Sequence, residues 1–407
     1  MVAGWERTMI EFAWRIAFTV GALLVYRFGT FVPLPGLDPA ALEELYRGSP
    51  NGIHRLAIFA LGILPYVWAA IILQLLTLVS GRLRALKQSG ARGRRTIDRM
   101  TRVLTVLLAA GQASGVAIGL ESVPGIVAAP SWLFTLSTTL TLIGGTLFLV
   151  WLSEQITLRG VGNGLVLLLL VPIVTALPNR VADVFEAGRQ GVMSSDRINT
   201  LVLFVVGLAV FVVLIERARR FIRIDYPEHR IGARTFAAQT VDLPLKLNGA
   251  GIIPVLLASW IMSAVVALLN FAVAQGASWA TVIAVSLRYG RPLHLIVYAL
   301  LLFGCAILYT ALLFDPEEMA DGLRKYGGSI AKLEPSEATA AYIDRVLSRT
   351  MLAGACYLVI VMVTWEMFAA RFPAPLPIGA VSLLIAVCAT LDLDGEVRAY
   401  MRREREA

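Results

Sequence analysis

Thr200-Leu-Val-Leu-Phe-Val-Val-Gly-Leu-Ala-Val-Phe-Val-Val-Leu-Ile215 carries no charge, and it closes abruptly on Glu216-Arg-Ala-Arg-Arg220. Side chains this uniformly apolar leave a helix no face that suits water, while the arginines that follow cannot leave water. Together they read as a helix that crosses a bilayer and ends at its surface. Working outward, nine further runs share the pattern: Arg15–Pro33, Leu56–Val79, Thr101–Leu120, Trp132–Leu152, Val161–Ala176, Ile252–Ala274, Leu293–Phe314, Met351–Ala370 and Ile378–Leu391. A hydrocarbon core of roughly 30 Å takes about 20 helical residues, so most runs suffice outright. Val161–Ala176, Thr200–Ile215 and Ile378–Leu391 are the short ones.

Charge sets the topology. The loops Gly81–Met100, Glu216–Gly251 and Asp315–Thr350 hold 7, 7 and 5 Lys or Arg, and the loops between them none to three each. The positive-inside rule places the basic loops in the cytoplasm, and ten spans then place both termini there. The expected fold class is an all-α polytopic membrane protein with ten transmembrane helices. Residues 1–407 form a single membrane domain, with five spans in 1–177 and five in 178–407. An odd number of spans per half inverts one half relative to the other, an arrangement found in many transport proteins.

Composition agrees. Hydrophobic residues are 57% of the 407 and charged residues 16%, below the roughly one quarter of soluble domains. The net charge of +8 sits in membrane-flanking loops, which points to anionic headgroups and acidic partners. Nucleic acid is not expected as a ligand, save ribosomal RNA beside a basic loop. Cys305, Cys356 and Cys388 all fall in expected spans without CxxC spacing, so neither a disulfide nor a metal site is expected. His54, His229 and His294 are too scattered for a ligand cluster. Trp5–Arg15 is a polar, interfacial lead-in, so no cleavable signal peptide is expected.

No catalytic constellation stands out, and no cofactor is expected. Ser153-Glu154-Gln155 and Asp392-Leu-Asp394 put carboxylates at span ends, with no histidine or second acid placed to pair with them. No acid stands clearly mid-span. Gly160-Val-Gly-Asn-Gly164 lacks the lysine of a phosphate-binding loop and reads as a hinge, where glycine permits close backbone approach and positive φ. Gln74, Gln112 and Asn248 lie within or beside apolar runs; they either bond a neighbouring helix or line an aqueous path. Arg27 is close enough to a span end to snorkel. Asp38-Pro39 with the acids that follow starts a short helix, which runs into the turn formers Gly48-Ser-Pro-Asn-Gly52.

Several longer motifs are more specific. Leu152-Ser-Glu-Gln-Ile-Thr-Leu-Arg-Gly-Val-Gly-Asn-Gly164 resembles a signature of the SecY family, the central channel subunits of the bacterial protein translocase. Ile58-Phe-Ala-Leu-Gly-Ile-Leu-Pro-Tyr66 leading to Gln74-Leu-Leu is similar to a second, and Leu243-Pro-Leu-Lys-Leu-Asn-Gly-Ala-Gly-Ile-Ile-Pro254 to a third. Pro33-Leu-Pro-Gly36, Gly93-Arg-Arg95 with Thr101-Arg102, and Asp315-Pro-Glu-Glu-Met-Ala-Asp321 continue the resemblance in family order. It covers essentially the whole chain.

The resemblance implies two inverted five-helix halves around a central hourglass pore with a lateral gate into lipid. It implies a channel that exports unfolded preproteins and inserts membrane proteins at the bacterial inner membrane. The positions matching the family's pore ring are Ile63, Val67, Leu165, Leu169, Leu256 and Ile385, all bulky aliphatics that exclude water by dewetting. Gln74, Gln112 and Asn248 match polar lateral-gate positions. The faces of that gate are the second and third spans against the seventh and eighth. Arg219, Arg220, Arg234 and Glu334 fall where the family contacts cytoplasmic partners. Those partners are a SecA-like ATPase motor or the ribosome, with SecE-like and SecG-like small membrane subunits alongside. Signal sequences, preproteins and membrane lipids complete the set.

Departures accompany the matches. Family members carry a longer plug segment between the first two spans; here only 38–55 is available, so the plug is shortened or missing. Glu334 stands where the family has an arginine that engages the motor, Ala233-Arg234 where it has paired arginines, and Ser153 where it has glycine. Both ends are shorter than in the family. An accessory or specialised translocase channel with a non-standard motor is therefore a second expectation. A secondary transporter of small solutes and a non-transporting scaffold or lipid-handling protein are further alternatives.

Overall fold

The computed structural model describes residues 2–38, 43, 56–226, 229–231, 234–236, 239–313, 316–325, 329–330, 337–372 and 378–406. Its helices are α1 (Val2–Gly29), α2 (Leu64–Val79), α3 (Gly81–Gln88), α4 (Ala91–Glu121), α5 (Trp132–Arg159), α6 (Gly164–Arg189) and α7 (Ser195–Arg217). Later in the chain come α8 (Ile253–Ala274), α9 (Ser278–Ser286), α10 (Pro292–Leu313), α11 (Pro316–Lys325), α12 (Glu337–Arg371) and α13 (Ala380–Glu406). The fold is helical and multi-pass. Among the described residues eight helices, α1, α4–α8, α10 and α12, are long and apolar enough to cross a membrane. The second and tenth expected spans fall on α2, which is 16 residues long, and on the apolar start of α13. At 1.5 Å per residue α2 reaches about 24 Å, short of a full hydrocarbon core.

The expected plug region, 38–55, lies outside the described residues apart from Asp38 and Glu43, as does Glu334.

The chain divides into two compact units, Met1–Pro178 with Ala389–Ala407, and Asn179–Cys388. Helix α6 runs through the boundary with Pro172 and Pro178 inside it. In the first unit α5 packs against α4 and α1, and α2 against α4. Small and apolar side chains let these helices approach: Ala109, Ala113 and Ala117 are fully buried on one face of α4, and Leu142 and Leu149 on α5. Gly145 comes so close to the Ile58 carbonyl that a Cβ there would sit 2.2 Å from it.

The second unit contains an element the sequence did not announce. The basic segments Glu216–Gly251 and Asp315–Thr350 share a three-stranded sheet. Strand β1 (Arg219–Tyr226) pairs antiparallel along its length with β4 (Gln239–Lys246), and on its other side with β5 (Ser329–Ile330). Between β1 and β4, β2 (His229–Ile231) and β3 (Arg234–Phe236) form a separate hairpin. The strand order β4-β1-β5 leaves β4 at an edge, a position that tolerates Pro244. Ile222, Ile224, Leu245 and Ile330 turn to one face and pack on Ile343, Val346 and Leu347 of α12. Arg219, Arg220 and Arg223 remain exposed. Period-two alternation thus buries aliphatics against a helix and keeps Arg219 and Arg223 on the opposite, exposed face, while Arg220 is exposed at the strand's start.

Candidate functional site

The six residues expected to form the ring all lie at or within two turns of a helix start. Ile63 is the N-cap of α2 and Val67 lies one turn inside it. Leu165 and Leu169 occupy the first two turns of α6, Leu256 the first turn of α8, and Ile385 the second turn of α13. Ile63, Val67, Leu165 and Leu169 belong to the first unit, and Leu256 and Ile385 to the second. Ile63, Val67, Leu256 and Ile385 are buried, at 3%, 6%, 8% and 8% exposure; Leu165 and Leu169 are half-buried.

The glycine turn before α6 sets where Leu165 and Leu169 stand. Asn163 caps the helix: its Oδ1 accepts from the Leu165 amide at 3.0 Å, which satisfies one of the unpaired N–H groups of the first turn. The Gly164 amide donates to Thr157 Oγ1 on α5 at 2.9 Å, and the Val161 amide to Thr19 Oγ1 on α1 at 2.9 Å. Gly162 has φ +90, and a Cβ on Gly164 would lie 2.1 Å from the Ser153 carbonyl. The hinge reading of Gly160–Gly164 is met by both positive φ and close approach.

Gln74 on α2 and Gln112 on α4 are half-buried within the first unit. Asn248 is 4% exposed in the second unit. Its Nδ2 donates to Glu216 Oε1 at 2.7 Å and to the Gly251 carbonyl at 3.2 Å. Glu216, at the end of α7, is itself buried, so this amide ties the start of α8 to α7. Arg219 and Arg220 are exposed on β1, and Arg234 lies on the β2–β3 hairpin. The two carboxylate clusters sit in ion pairs: Glu154 with Arg102 at 2.7 Å and Asp394 with Arg398 at 2.9 Å.

One acid, Glu366, does fall inside an expected span, near its end rather than mid-span. It is 3% exposed on α12, inside the run Met351–Ala370. Its Oε1 accepts from the Gly290 amide at 2.9 Å and lies 3.3 Å from His294 Nε2. His294 Nδ1 meets the Leu287 carbonyl at 3.0 Å. Beside them opens a cavity of about 970 Å³ lined by residues of α8, α9, α10, α12 and α13, among them Ser259, Tyr298 and Trp365. At the turn, desolvation first and the Glu366 carboxylate second push the Tyr289 phenol up to about 12. Glu366 could have been singled out from sequence as the one acid in an otherwise uncharged run. Its histidine partner, 72 positions earlier in the numbering, gave no such signal.

The SecY family model matches residues 57–393. Protein translocase subunit SecY of Escherichia coli K12 is 39% identical over 403 residues, covering 95% of this chain and 91% of its own length. The chain belongs to the SecY family. The Rickettsia conorii protein translocase subunit SecY is 35% identical over 404 residues, 95% of this chain and 93% of its own length. Among solved structures, a SecY described for a plug domain that stabilises the closed translocation channel matches with TM-score 0.67 at 18% identity, over 96% of this chain and 93% of that one. Sec61 in the canine ribosome–channel complex of the endoplasmic reticulum matches with TM-score 0.62 at 16% identity, over 96% and 93%.

Proposed function

We propose that this chain is the channel subunit of a bacterial inner-membrane translocase, which exports unfolded preproteins and passes membrane proteins sideways into lipid. Its 39% identity to a protein translocase subunit over 95% of the chain carries this reading. The six ring positions support it. All are bulky aliphatics, and a ring of such side chains excludes water and ions yet yields to a passing polypeptide. Gln74, Gln112 and Asn248 serve the lateral gate, where a broken intramembrane hydrogen bond costs under about 2 kcal/mol. A signal-sequence helix then partitions into lipid by its hydrophobicity.

The basic loops face the cytoplasm, as do both termini. Arg219, Arg220, Arg234 and Glu334 meet a SecA-like motor or the ribosome there. SecE-like and SecG-like subunits accompany the chain, and SecE-like clamping keeps two halves joined by a single connection from splaying. The chain hydrolyses nothing itself. Purified protein in liposomes, with its small partner and a motor, should import a model preprotein in an ATP-dependent way. Nucleotide turnover without the motor, or no import with any motor, would overturn the reading. A dedicated motor is the second reading, favoured by Glu334 and by Ala233 in place of family arginines.

A further inference from the structure

The turn Leu287–Arg291 joins α9 to α10, and three contacts seat it on the last turns of α12. The Gly290 amide donates to Glu366 Oε1 at 2.9 Å. Gly290, at φ +82, sits so near α12 that a Cβ on it would be 2.7 Å from the Ala370 Cβ. His294, in the first turn of α10, reaches the same carboxylate oxygen at 3.3 Å with both side chains almost fully buried, 12% and 4% exposed. Among the described residues no guanidinium or ammonium pairs with Glu366.

Donor and acceptor accounting decides what holds this contact. The Leu287 carbonyl can only accept, so His294 Nδ1, 3.0 Å away, must carry a hydrogen. Nε2 then faces a carboxylate oxygen, and two lone pairs repel unless a proton lies between them. That proton belongs to the pair, as imidazolium with carboxylate or as imidazole with carboxylic acid. In either form the buried site is neutral. Without the proton it holds one uncompensated negative charge away from water, which is unfavourable.

Position gives the contact its consequence. The sheet packs on α12 at Val346, and Glu366 lies twenty residues further along, about 30 Å at 1.5 Å per residue. The turn is therefore on the far side of a bilayer from the sheet. With α9 it forms the connection between α8 and α10, which correspond to the expected seventh and eighth spans.

We propose that Glu366 is a positioning residue for gating: through one proton shared with His294, and through the Gly290 amide, it clasps the α9–α10 turn to α12 and so fixes the outer end of one lateral-gate face. The proposal rests on the translocase reading for its gating role, though not for the clasp. Loss of the shared proton leaves an uncompensated buried charge and loosens the turn. The other titratable or charged groups facing the site are Arg288 and Tyr289 of the turn and Tyr298 of α10. Tyr289, pushed up to about 12, keeps its proton in the range of interest. The cavity-lining residues of α8 and α13, such as Ser259, Asn270 and Ala380, carry no titratable group.

Glu366→Gln separates proton from shape. A glutamine oxygen still accepts from Gly290 with no carboxylate to hold a shared proton, and His294 Nε2, which meets that same oxygen, loses its charged partner; Glu366→Ala removes both contacts. Hydrogen exchange of the Leu287–Arg291 segment is measured on the full chain in lipid nanodiscs, corrected for intrinsic rate, in mildly acidic and mildly alkaline buffer. Loss of a charge-assisted bond should speed exchange in the Ala variant by about tenfold to a hundredfold. Wild type should lose protection in alkaline buffer while the Gln variant stays flat. Unchanged exchange in the Ala variant overturns the clasp, and equal pH profiles in wild type and Gln overturn the proton. These arms need no transport activity. In translocating vesicles with only the interior pH varied, wild-type import should respond and Gln import should not. If exchange behaves as expected and import responds in neither, the gating role is overturned.

Discussion

Thr19 Oγ1 accepts a hydrogen bond from the Val161 amide at 2.9 Å, joining the middle of the first helix to a glycine turn 142 positions later. Thr19 also donates to the Arg15 carbonyl at 3.0 Å, which aims its lone pairs at the turn. Gly160 packs on the same oxygen, and a Cβ there would stand 2.3 Å from it. The turn from which α6 starts, and with it Leu165 and Leu169, is therefore set by α1 as well as by its own glycines.

Thr19→Val should destabilise the protein by about 1–3 kcal/mol, because it leaves a buried N–H unpaired. Thr19→Ser keeps the acceptor and should cost well under half as much. Gly160→Ala should cost as much as Thr19→Val through overpacking. Thermal unfolding in nanodiscs ranks the three; equal stability of the Val and Ser variants would show that the bond contributes nothing.

The Gly29 backbone touches the Phe59 ring, which a Cβ at Gly29 would overlap at 2.0 Å. Phe59 is stacked between Tyr26 and Phe148, with ring centroids 6.0 and 5.7 Å away. Gly29→Ala should therefore cost about 1–3 kcal/mol by displacing the stack. Combined with Phe59→Leu, the total should fall below the sum of the single costs. Strict additivity would mean that the two sites relax independently.

The aliphatic ring should carry the membrane seal. Leu169→Ser or Ile385→Ser should let ions leak in planar bilayers, whereas deletion of Gly48–Gly52 should change conductance little. Strong leakage from the deletion together with none from the serines would reverse the assignment.

Arg219 and Arg220 are exposed on β1, while Ile222 beside them is buried against α12. Charge reversal at both arginines should weaken binding of a cytoplasmic partner, mainly through association rate, and leave thermal stability within about 0.5 kcal/mol. Ile222→Asp should instead unseat the sheet, exposing β1 and β4 to limited proteolysis. Partner binding that ignores the arginine reversals at low salt would place the docking surface elsewhere.

Glu334 should select the motor. If the motor presents carboxylates to this loop, Glu334→Arg should strengthen binding and raise preprotein import; if it presents basic groups, the same change should weaken both. Either effect should shrink as salt rises and the Debye length falls from about 10 Å at 0.1 M. Identical titrations of wild type and variant would make Glu334 a bystander, and the specialised-motor reading would lose its main support.

Much of the fold was legible because a bilayer imposes a one-dimensional rule: apolar length marks a span, and arginine marks its cytoplasmic end. The hinge at Gly160–Gly164 was legible for a local reason, since glycine density reports backbone demands directly. The sheet was not, because its strands lie in segments that read as basic loops, and β5 comes from a segment about a hundred residues downstream of β1. Asn248 was visible as a polar residue beside an apolar run, but its partner Glu216 fell at the start of a loop expected to be cytoplasmic. Only the fold shows that acid buried and bonded to the amide.

By itself the sequence determined the solvent, the class of fold, the family and the chemical character of the ring, because each depends on residue type and spacing along one helix. Tertiary structure alone decided which polar groups meet: Thr19 with Val161, Asn248 with Glu216, and His294 with Glu366. Such contacts join residues far apart in the chain through single atoms at about 3 Å, and the partner of a lone buried acid is set by how helices pack. Periodicity reports the face a helix buries, and packing reports what that face touches.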